Sequence, residues 1–158
     1  GTCDASNLLV WAQGDDAIDI DQAYSGTVDN VVVVLGDISD HAFEIDGPEG
    51  TGSGLFTLRN ATIIGNTTTA NGEYADYRSN AQGLTENVYA LGFKDTSDVE
   101  LDNDAVATNY NNGDLTFGAW EIVLPAGVTN AADIFVNKAE AVTVTVFGST
   151  ATAVTEGA

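Results

Sequence analysis

Acidic and apolar side chains alternate in two short segments of the sequence. The segments superpose at a spacing of 25 residues, so that Asp19 and Asp21 match Glu44 and Asp46. Carboxylate oxygens at this density are the ligands that hard cations such as Ca²⁺ prefer. These four residues are therefore the candidate metal ligands, with Ca²⁺ as the candidate ion. A solvated acidic face without a bound ion is the alternative.

Few other residues in the sequence could carry out chemistry. His41 is the only histidine, so the chain cannot build a His-rich zinc site by itself. Ser25 lacks the Gly-x-Ser-x-Gly context of an activated serine. The single cysteine, Cys3, has no histidine near it in the sequence, so neither residue is assigned as a nucleophile.

An imperfect repeat organises the chain around these residues. Asn7, Asn30, Asn60 and Asn87 each precede an apolar run, at offsets of 23, 30 and 27 residues. Each run is followed by a glycine-marked turn and then by a second strand of alternating pattern. A unit of this length cannot bury its apolar face alone, so it must stack on its neighbours as in a solenoid.

The repeat predicts an all-β fold, a right-handed parallel β-helix with its coils in residues 1–113 and a divergent, continuous C-terminal β-region in residues 114–158. A β-sandwich is the alternative, but it gives no reason for the repeated order of Asn, apolar run, Gly and acidic strand. Helix signals are weak, and only 130–138 is expected to form one or two helical turns. Further strands are expected at 115–117, 120–124 and 142–147.

The alternation also predicts which side chains point into the solenoid. Residues 18, 43 and 99 should stack in neighbouring parallel strands. The predicted inward positions are Leu9, Val10, Ile18, Ile20, Val31, Val33, Phe43, Ile45, Ile63, Val88, Val99 and Leu101.

The composition excludes two classes of partner. The chain has 24 Asp and Glu against 4 Lys and Arg, with a formal net charge of −20. The four cations are scattered singly, so no basic patch exists to bind nucleic acid or an anionic lipid surface. No apolar tract approaches the roughly 20 residues that a membrane span needs. Nucleic acid binding and membrane insertion are therefore not expected.

The turns of the repeat resemble those of a known superfamily. Residues 14–20, followed by 40–47, resemble the pectin-lyase-like right-handed parallel β-helices, in which polygalacturonase-type glycosidases carry a Gly-Asp-Asp turn and, one coil later, a Gly-His-Gly turn. The resemblance covers residues 7–105. Residues 21–30 and 44–50 resemble more closely a family of secreted or surface-anchored Bacteroidota β-helix proteins of uncertain role, often labelled "multidrug transporter".

Carried over residue by residue, the glycosidase resemblance implies that Asp15 and Asp16 are the acid and the water-activating carboxylate, with His41 in support. The chain departs from that pattern. Gly-His-Gly is Asp-His-Ala here, and the Arg and Lys that hold a uronate have no counterpart after His41. A chain of this charge also repels an anionic sugar. The alternative is that Asp15 and Asp16 are turn residues bonded to nearby backbone amides.

Two functions follow from these observations. The first is a non-catalytic extracellular or cell-surface protein with a structural, adhesive or assembly role. Its partner would be a second copy or another β-helix segment at the N-terminal coil, where the repeat starts at Asn7 without a cap. The second is a polysaccharide-active enzyme or a glycan-binding module that uses the groove of the β-helix. In that case Trp11 or Tyr24 would be the stacking platform for the sugar.

Overall fold

The computed structural model, which describes residues 1–69 and 71–157, contains two parallel sheets. The first has the strand order β1-β3-β5-β7-β10-β12, with β9 also paired to β7, and the second has the order β11-β8-β6-β4-β2. The strands are β1 (Ala5–Trp11), β2 (Ile18–Ile20), β3 (Thr27–Val34), β4 (His41–Asp46), β5 (Phe56–Ile64), β6 (Glu73–Arg78), β7 (Gly83–Leu91), β8 (Val99–Leu101), β9 (Leu115–Phe117), β10 (Trp120–Val123), β11 (Phe135–Asn137) and β12 (Ala151–Val154).

From β1 to β8 successive strands alternate between the two sheets, so each pair of strands forms one coil of a parallel β-helix, and in the next coil β9 and β10 both belong to the first sheet. In the second sheet Ile18 pairs with Phe43, Phe43 with Ala75, and Ala75 with Val99. This register confirms the predicted stack and the predicted all-β parallel β-helix. The strands from β9 to β12 join the same two sheets, so the C-terminal region continues the solenoid.

The repeated Asn residues bend the strands of the first sheet. Asn7, Asn30, Asn60 and Asn87 have φ angles between 55° and 58°. This is the left-handed region, which Asn tolerates better than other residues with a Cβ atom. Asn30 Nδ2 donates a hydrogen bond of 2.6 Å to Asn7 Oδ1, and Asn87 donates to Asn60 in the same way. The Asn of each repeat therefore turns the chain and links neighbouring coils.

The core lies between the two sheets and confirms most of the predicted inward positions. The predicted residues from Ile18 to Leu101 are buried, and Val10 is half-buried against them. The prediction that Leu9 points inward is wrong, because its side chain is 67% exposed. Adjacent residues of a strand point to opposite faces, so Leu9 cannot share the inward face with Val10, and Leu8 takes that place.

One helix was not predicted. Helix α1 (Asp104–Asn112) lies between β8 and β9. At its start the Asn103 side chain accepts hydrogen bonds from two backbone N–H groups, and at its end Gly113 adopts a left-handed φ of 82°. The turns expected in 130–138 are confirmed as a short 3₁₀ helix, Ala131–Ile134. No helix among the described residues is long and apolar enough to cross a membrane.

The strand expected at 142–147 is wrong. We call residues 138–150 the C-terminal cover, because this segment lies against the inward aromatic residues of the last coil. Phe147 packs against Phe117 and Phe135 at ring distances of 5.2 and 5.1 Å. The Thr143 carbonyl accepts a hydrogen bond of 3.0 Å from the Asn111 amide. Aromatic packing and bonds to α1 thus override the β-propensity of the alternating Val and Thr residues.

Candidate functional site

The outer surface of the second sheet carries a row of carboxylates. Asp19 pairs in register with Glu44, Glu44 with Asp76, and Asp76 with Glu100. Neighbouring strands are about 4.8 Å apart, so like charges lie side by side, which is destabilising. We call this row and its charged neighbours the acidic face. It comprises Asp16, Asp19, His41, Glu44, Asp46, Glu73, Asp76, Arg78, Asp98, Glu100, Asp102 and Lys138.

Arg78 lies between two carboxylates of the row. Its Nη1 is 3.2 Å from Glu44 Oε1, and its Nε donates a hydrogen bond of 2.7 Å to Asp76 Oδ2. The Asp76 side chain is only 1% exposed. Burial raises the pKa of Asp76, although Arg78 acts in the opposite direction. Arg78 therefore offsets part of the repulsion at the centre of the face.

Lys138 has the same role at the far end of the row. Its backbone N–H donates to the Leu101 carbonyl at 2.9 Å, which places the residue beside β8. Its Nζ lies 3.5 Å from Asp98 Oδ2 and forms an ion pair with Glu100. Two of the four cations of the chain thus lie on the acidic face. Their scatter along the sequence conceals this arrangement, because coil stacking brings distant positions together.

His41 is fixed by Asp16 of the preceding coil. Asp16 Oδ1 accepts the backbone N–H of His41 at 3.0 Å and lies 2.7 Å from its ring Nδ1. Glu44 Oε2 is 3.5 Å from the same ring nitrogen. Burial opposes the charged form of the ring, but the bond with Asp16 and the charge of Asp40 outweigh it, so the pKa of His41 is raised.

The three residues implied by the glycosidase resemblance do not act as one group. Asp16 and His41 are in contact, but Asp15 is exposed in the turn before them. The Asp15 carbonyl accepts the Asp40 N–H at 3.0 Å and the Gln13 amide at 2.7 Å. The backbone of Asp15, rather than its carboxylate, therefore links the coils at this turn.

Two glutamates of the face bind protons unusually tightly. Burial raises the pKa of Glu44 to about 7, with the Asp16 charge adding to the effect and Arg78 and His41 opposing it. Burial also raises the pKa of Glu73 to about 7, with the charge of Asp98 and a hydrogen bond to it acting in the same direction. Both side chains can therefore exchange protons near neutral pH.

Three groups of side chains bring possible metal-binding atoms within 4.8 Å of one another. They are Asp16, Asp40 and His41; Glu73, Asp98 and Glu100; and Asp76, Glu100 and Asp102. In the part of the chain that the structure describes, the predicted set of Asp19, Asp21, Glu44 and Asp46 is not one of these groups. Glu44 contacts Arg78 and His41 instead, and Ca²⁺ binding by the predicted set stays a prediction.

The N-terminal end of the solenoid exposes an edge of both sheets. Strand β1 is the terminal strand of the first sheet, and β2 is the terminal strand of the second. An open cavity of about 340 Å³ lies at this end, and its lining includes the apolar side chains Leu8, Ile18, Ile20 and Val28. Within the part of the chain that the structure describes, the inner side chains of the first coil are therefore covered by other coils on one side only.

The two candidate stacking residues for a glycan occupy different places. Trp11 is 70% exposed at the end of β1. Tyr24 lines the cavity at the N-terminal end, where its hydroxyl donates to the Cys3 carbonyl. Among the described residues, Trp11 does not line that cavity. The pair therefore does not form one platform, and glycan binding by either residue stays a prediction.

Stacked parallel strands, inward apolar rows and an outward acidic row define the class of protein, a parallel β-helix. The profile of the pectate-lyase like beta helix domain matches residues 1–158, and the chain belongs to this family. No curated protein and no solved structure matches the chain significantly. The family confirms the fold implied by the pectin-lyase-like resemblance, whereas the closer Bacteroidota resemblance stays a prediction.

Proposed function

We propose that the chain is a non-catalytic structural module of an extracellular or cell-surface protein, which assembles through its N-terminal end with another β-helix segment. The observation that carries the proposal is the open end, where Ile18 and Ile20 line a cavity between two strand edges that pair with no other described strand. An unpaired edge is a template for a further strand. The half-buried Leu8 lines the same cavity, and its apolar surface favours burial against a partner.

The bonding of the acidic face supports a structural role for its side chains. Asp16 Oδ1 binds both the backbone and the ring of His41, and so joins the first coil to the second. Arg78 links carboxylates of the neighbouring strands β4 and β6, and Lys138, directly after β11, pairs with Glu100 of β8. These contacts use the groups that a hydrolase would direct toward a substrate, and each of them stabilises the stack of coils.

Size measurement and imaging test this assembly. We expect the purified chain alone to be monomeric or weakly associated in sedimentation, and to associate when a β-helix segment with a free C-terminal edge is supplied. Electron microscopy separates single particles from filaments directly. A chain that stays monomeric with every such segment, and that also turns over a polysaccharide, would overturn the proposal.

One observation favours a second function, a polysaccharide-active enzyme. Glu44 and Glu73 have pKa values raised to about 7, so each can carry a proton at neutral pH as a general acid does. Both lie on the acidic face beside His41. Because the face is strongly acidic, its substrate would be a neutral glycan rather than a uronate.

Activity screening separates the two functions. The assay uses a panel of neutral and acidic polysaccharides, with and without Ca²⁺, and compares wild type with Asp16→Asn and Glu44→Gln. Glu49→Gln, an exposed glutamate of a loop, is the matched control. We expect no turnover by any of the four proteins. Turnover that both site substitutions abolish and the control leaves unchanged would establish the enzyme and exclude the structural role as the main function.

A further inference from the structure

The N-terminal end contains features that specify what can cover it. Both edge strands belong to parallel sheets, and β1 already pairs in parallel register with β3 on both sides of the bend at Asn7. A partner that continues both sheets must therefore supply two strands, one over β1 and one over β2. A coil of a β-helix has this geometry, whereas a single extended peptide covers one edge only.

The inner side chains of the first coil give the second feature. Ile18 and Ile20 are 8% and 6% exposed, while their partners Phe43 and Ile45 in the next coil are fully buried. Leu8 is only half-buried, although it packs against the same core. Apolar side chains of an additional coil would fill the cavity and remove this surface from water.

The third feature is a direction, set by the side-chain hydrogen bonds that Asn30, Asn60 and Asn87 donate between coils, which we call the Asn ladder. In each later coil the side-chain amide donates to a residue of the preceding coil: Asn30 to Asn7, Asn60 to Asp29, and Asn87 to Asn60. The Asn7 amide instead donates to Ser6 of its own coil, in a longer bond of 3.3 Å. An Asn or Asp of a preceding coil at this register would accept the Asn7 amide as the other steps of the ladder do.

Charge gives the fourth feature. Asp19 lies beside Glu44 of the next strand, and Asp16, Asp21 and Asp46 are further acidic neighbours. Among the described residues no cation pairs with Asp19, whereas Arg78 and Lys138 pair with later members of its row. A coil that covers Asp19 would therefore carry a basic or neutral residue over it rather than another acid.

These features make a second copy of this chain the less favourable occupant. Two N-terminal ends placed together would bring Asp19 and Asp21 of both copies into proximity. At the opposite end β11 and β12 are the terminal strands, and Phe147 of the C-terminal cover packs on Phe117 and Phe135 there, so a head-to-tail copy would have to accommodate this cover. The self-association expected from the sequence is thus the less favourable form of assembly.

We infer that the N-terminal end receives one further parallel β-coil that carries Asn or Asp over Asn7 and a basic or neutral residue over Asp19. The inference rests on the proposed function, because it specifies the partner of the same end. It makes the first coil the acceptor side of a β-helix interface, with the Asn7 amide and the Asp19 carboxylate as the groups that select the occupant.

A tandem duplication tests this inference on the full chain. A second copy of residues 5–27 is inserted before Ala5, with Lys in place of Asp19 in the inserted copy. This 23-residue segment matches the offset between Ala5 and its partner Val28. We expect the backbone amides of β1 and β2 that point toward the free edge to become protected from hydrogen exchange at least about tenfold. Tm should rise by about 5 °C.

Two matched insertions identify the selecting groups. In one, Ala replaces Asn7 of the inserted copy, and in the other Asp19 of the inserted copy is retained. Each should lose a substantial part of the gain in Tm and in protection. Equal gains for all three insertions would overturn the selection by Asn7 and Asp19, and no protection of β1 in any of them would overturn the inference as a whole.

The same measurements on the wild-type chain complete the test. A stable dimer in sedimentation whose β1 and β2 amides are already protected would identify a second copy as the occupant and overturn the inference. Polysaccharide turnover would overturn the proposed function but would not alter the protection measured in the duplicated chain. The failure of one proposal is thereby distinguished from the failure of the other.

Discussion

Glu44 and His41 lie side by side on the acidic face, and both bind a proton more tightly in the folded chain than in the unfolded one. The pKa of Glu44 is raised to about 7 by burial and by the Asp16 charge, and that of His41 is also raised. Between the unfolded and folded pKa values the native state therefore holds more protons than the unfolded state. Stability must then fall as the pH rises through this window.

We therefore expect the chain to be more stable at about pH 5 than at about pH 8, with a Tm roughly 5 °C higher. The stabilisation from Glu44 is complete below its unfolded pKa and is lost as the pH rises through about 7. Thermal unfolding across this range measures it. Glu44→Gln, which mimics the protonated form, should reduce the difference, and an unchanged pH dependence in this variant would contradict the assignment.

Neutralising either of two carboxylates, Asp19 or Asp29, should change the stability of the chain in opposite directions. Asp19 lies among Asp16, Asp21 and Asp46, whereas Asp29 binds Arg59 and Asn60 and has a lowered pKa. We expect Asp19→Asn to stabilise the chain at low salt by about 0.5 kcal/mol, because it removes repulsion. Asp29→Asn should destabilise it, because it removes the ion pair with Arg59.

Urea unfolding at two salt concentrations measures both effects. Each substitution changes the net charge by one unit, so a general effect of charge would move both variants in the same direction. The gain from Asp19→Asn should shrink in about 0.5 M NaCl, where the screening length is short. A gain that is independent of salt would show that its cause is not repulsion on the acidic face.

At the scale of elements, the bend in each strand of the first sheet depends on a left-handed Asn. Asn60 has φ 57°, donates to Asp29 and accepts from Asn87. We expect Asn60→Ala to cost about 2 kcal/mol, since Ala loses the bonds and is strained at this φ. Asn60→Gly should cost about half as much, because Gly adopts the same φ without strain.

Urea midpoints of the three proteins separate the two contributions. The expected order of stability is wild type, then Gly, then Ala. Equal losses for both variants would mean that backbone strain contributes nothing, and a Gly variant as stable as wild type would mean that the ladder contributes nothing. Either result would contradict this explanation of the repeat.

Features set by local pattern could be predicted from the sequence. The register of Ile18 with Phe43 follows from alternation and a spacing of 25 residues, and the Asn repeat marks the bends. Helix α1 was missed because its nine residues carry a weak apolar stripe, although Asn103 and Gly113 are standard capping residues. The ion pairs of Arg78 and Lys138 were missed because they depend on coils far apart in the sequence.

At the scale of the whole molecule, the two ends of the solenoid differ. At the C-terminal end, where β11 and β12 are the terminal strands, the cover packs on the last coil, and its Phe147 contacts Phe117, Phe135 and Tyr110. The N-terminal end presents two strand edges and an apolar cavity. A solenoid needs a polar or covered surface at each end to remain soluble as a single particle. The cover should therefore keep the C-terminal end from associating with other molecules. Removing a side chain that packs the cover on the last coil tests this role.

We expect Phe147→Ala to destabilise the chain by about 2 kcal/mol and to promote self-association, because it removes a ring that covers the last coil. Val146→Ala, at a neighbouring residue that is 60% exposed, is the matched control and should change neither property. Urea unfolding measures the stability, and sedimentation at several protein concentrations measures the association. If the C-terminal end closes the solenoid, only Phe147→Ala should add a concentration-dependent species. A variant that loses stability yet stays monomeric would show that Phe147 packs the core without preventing contact between molecules.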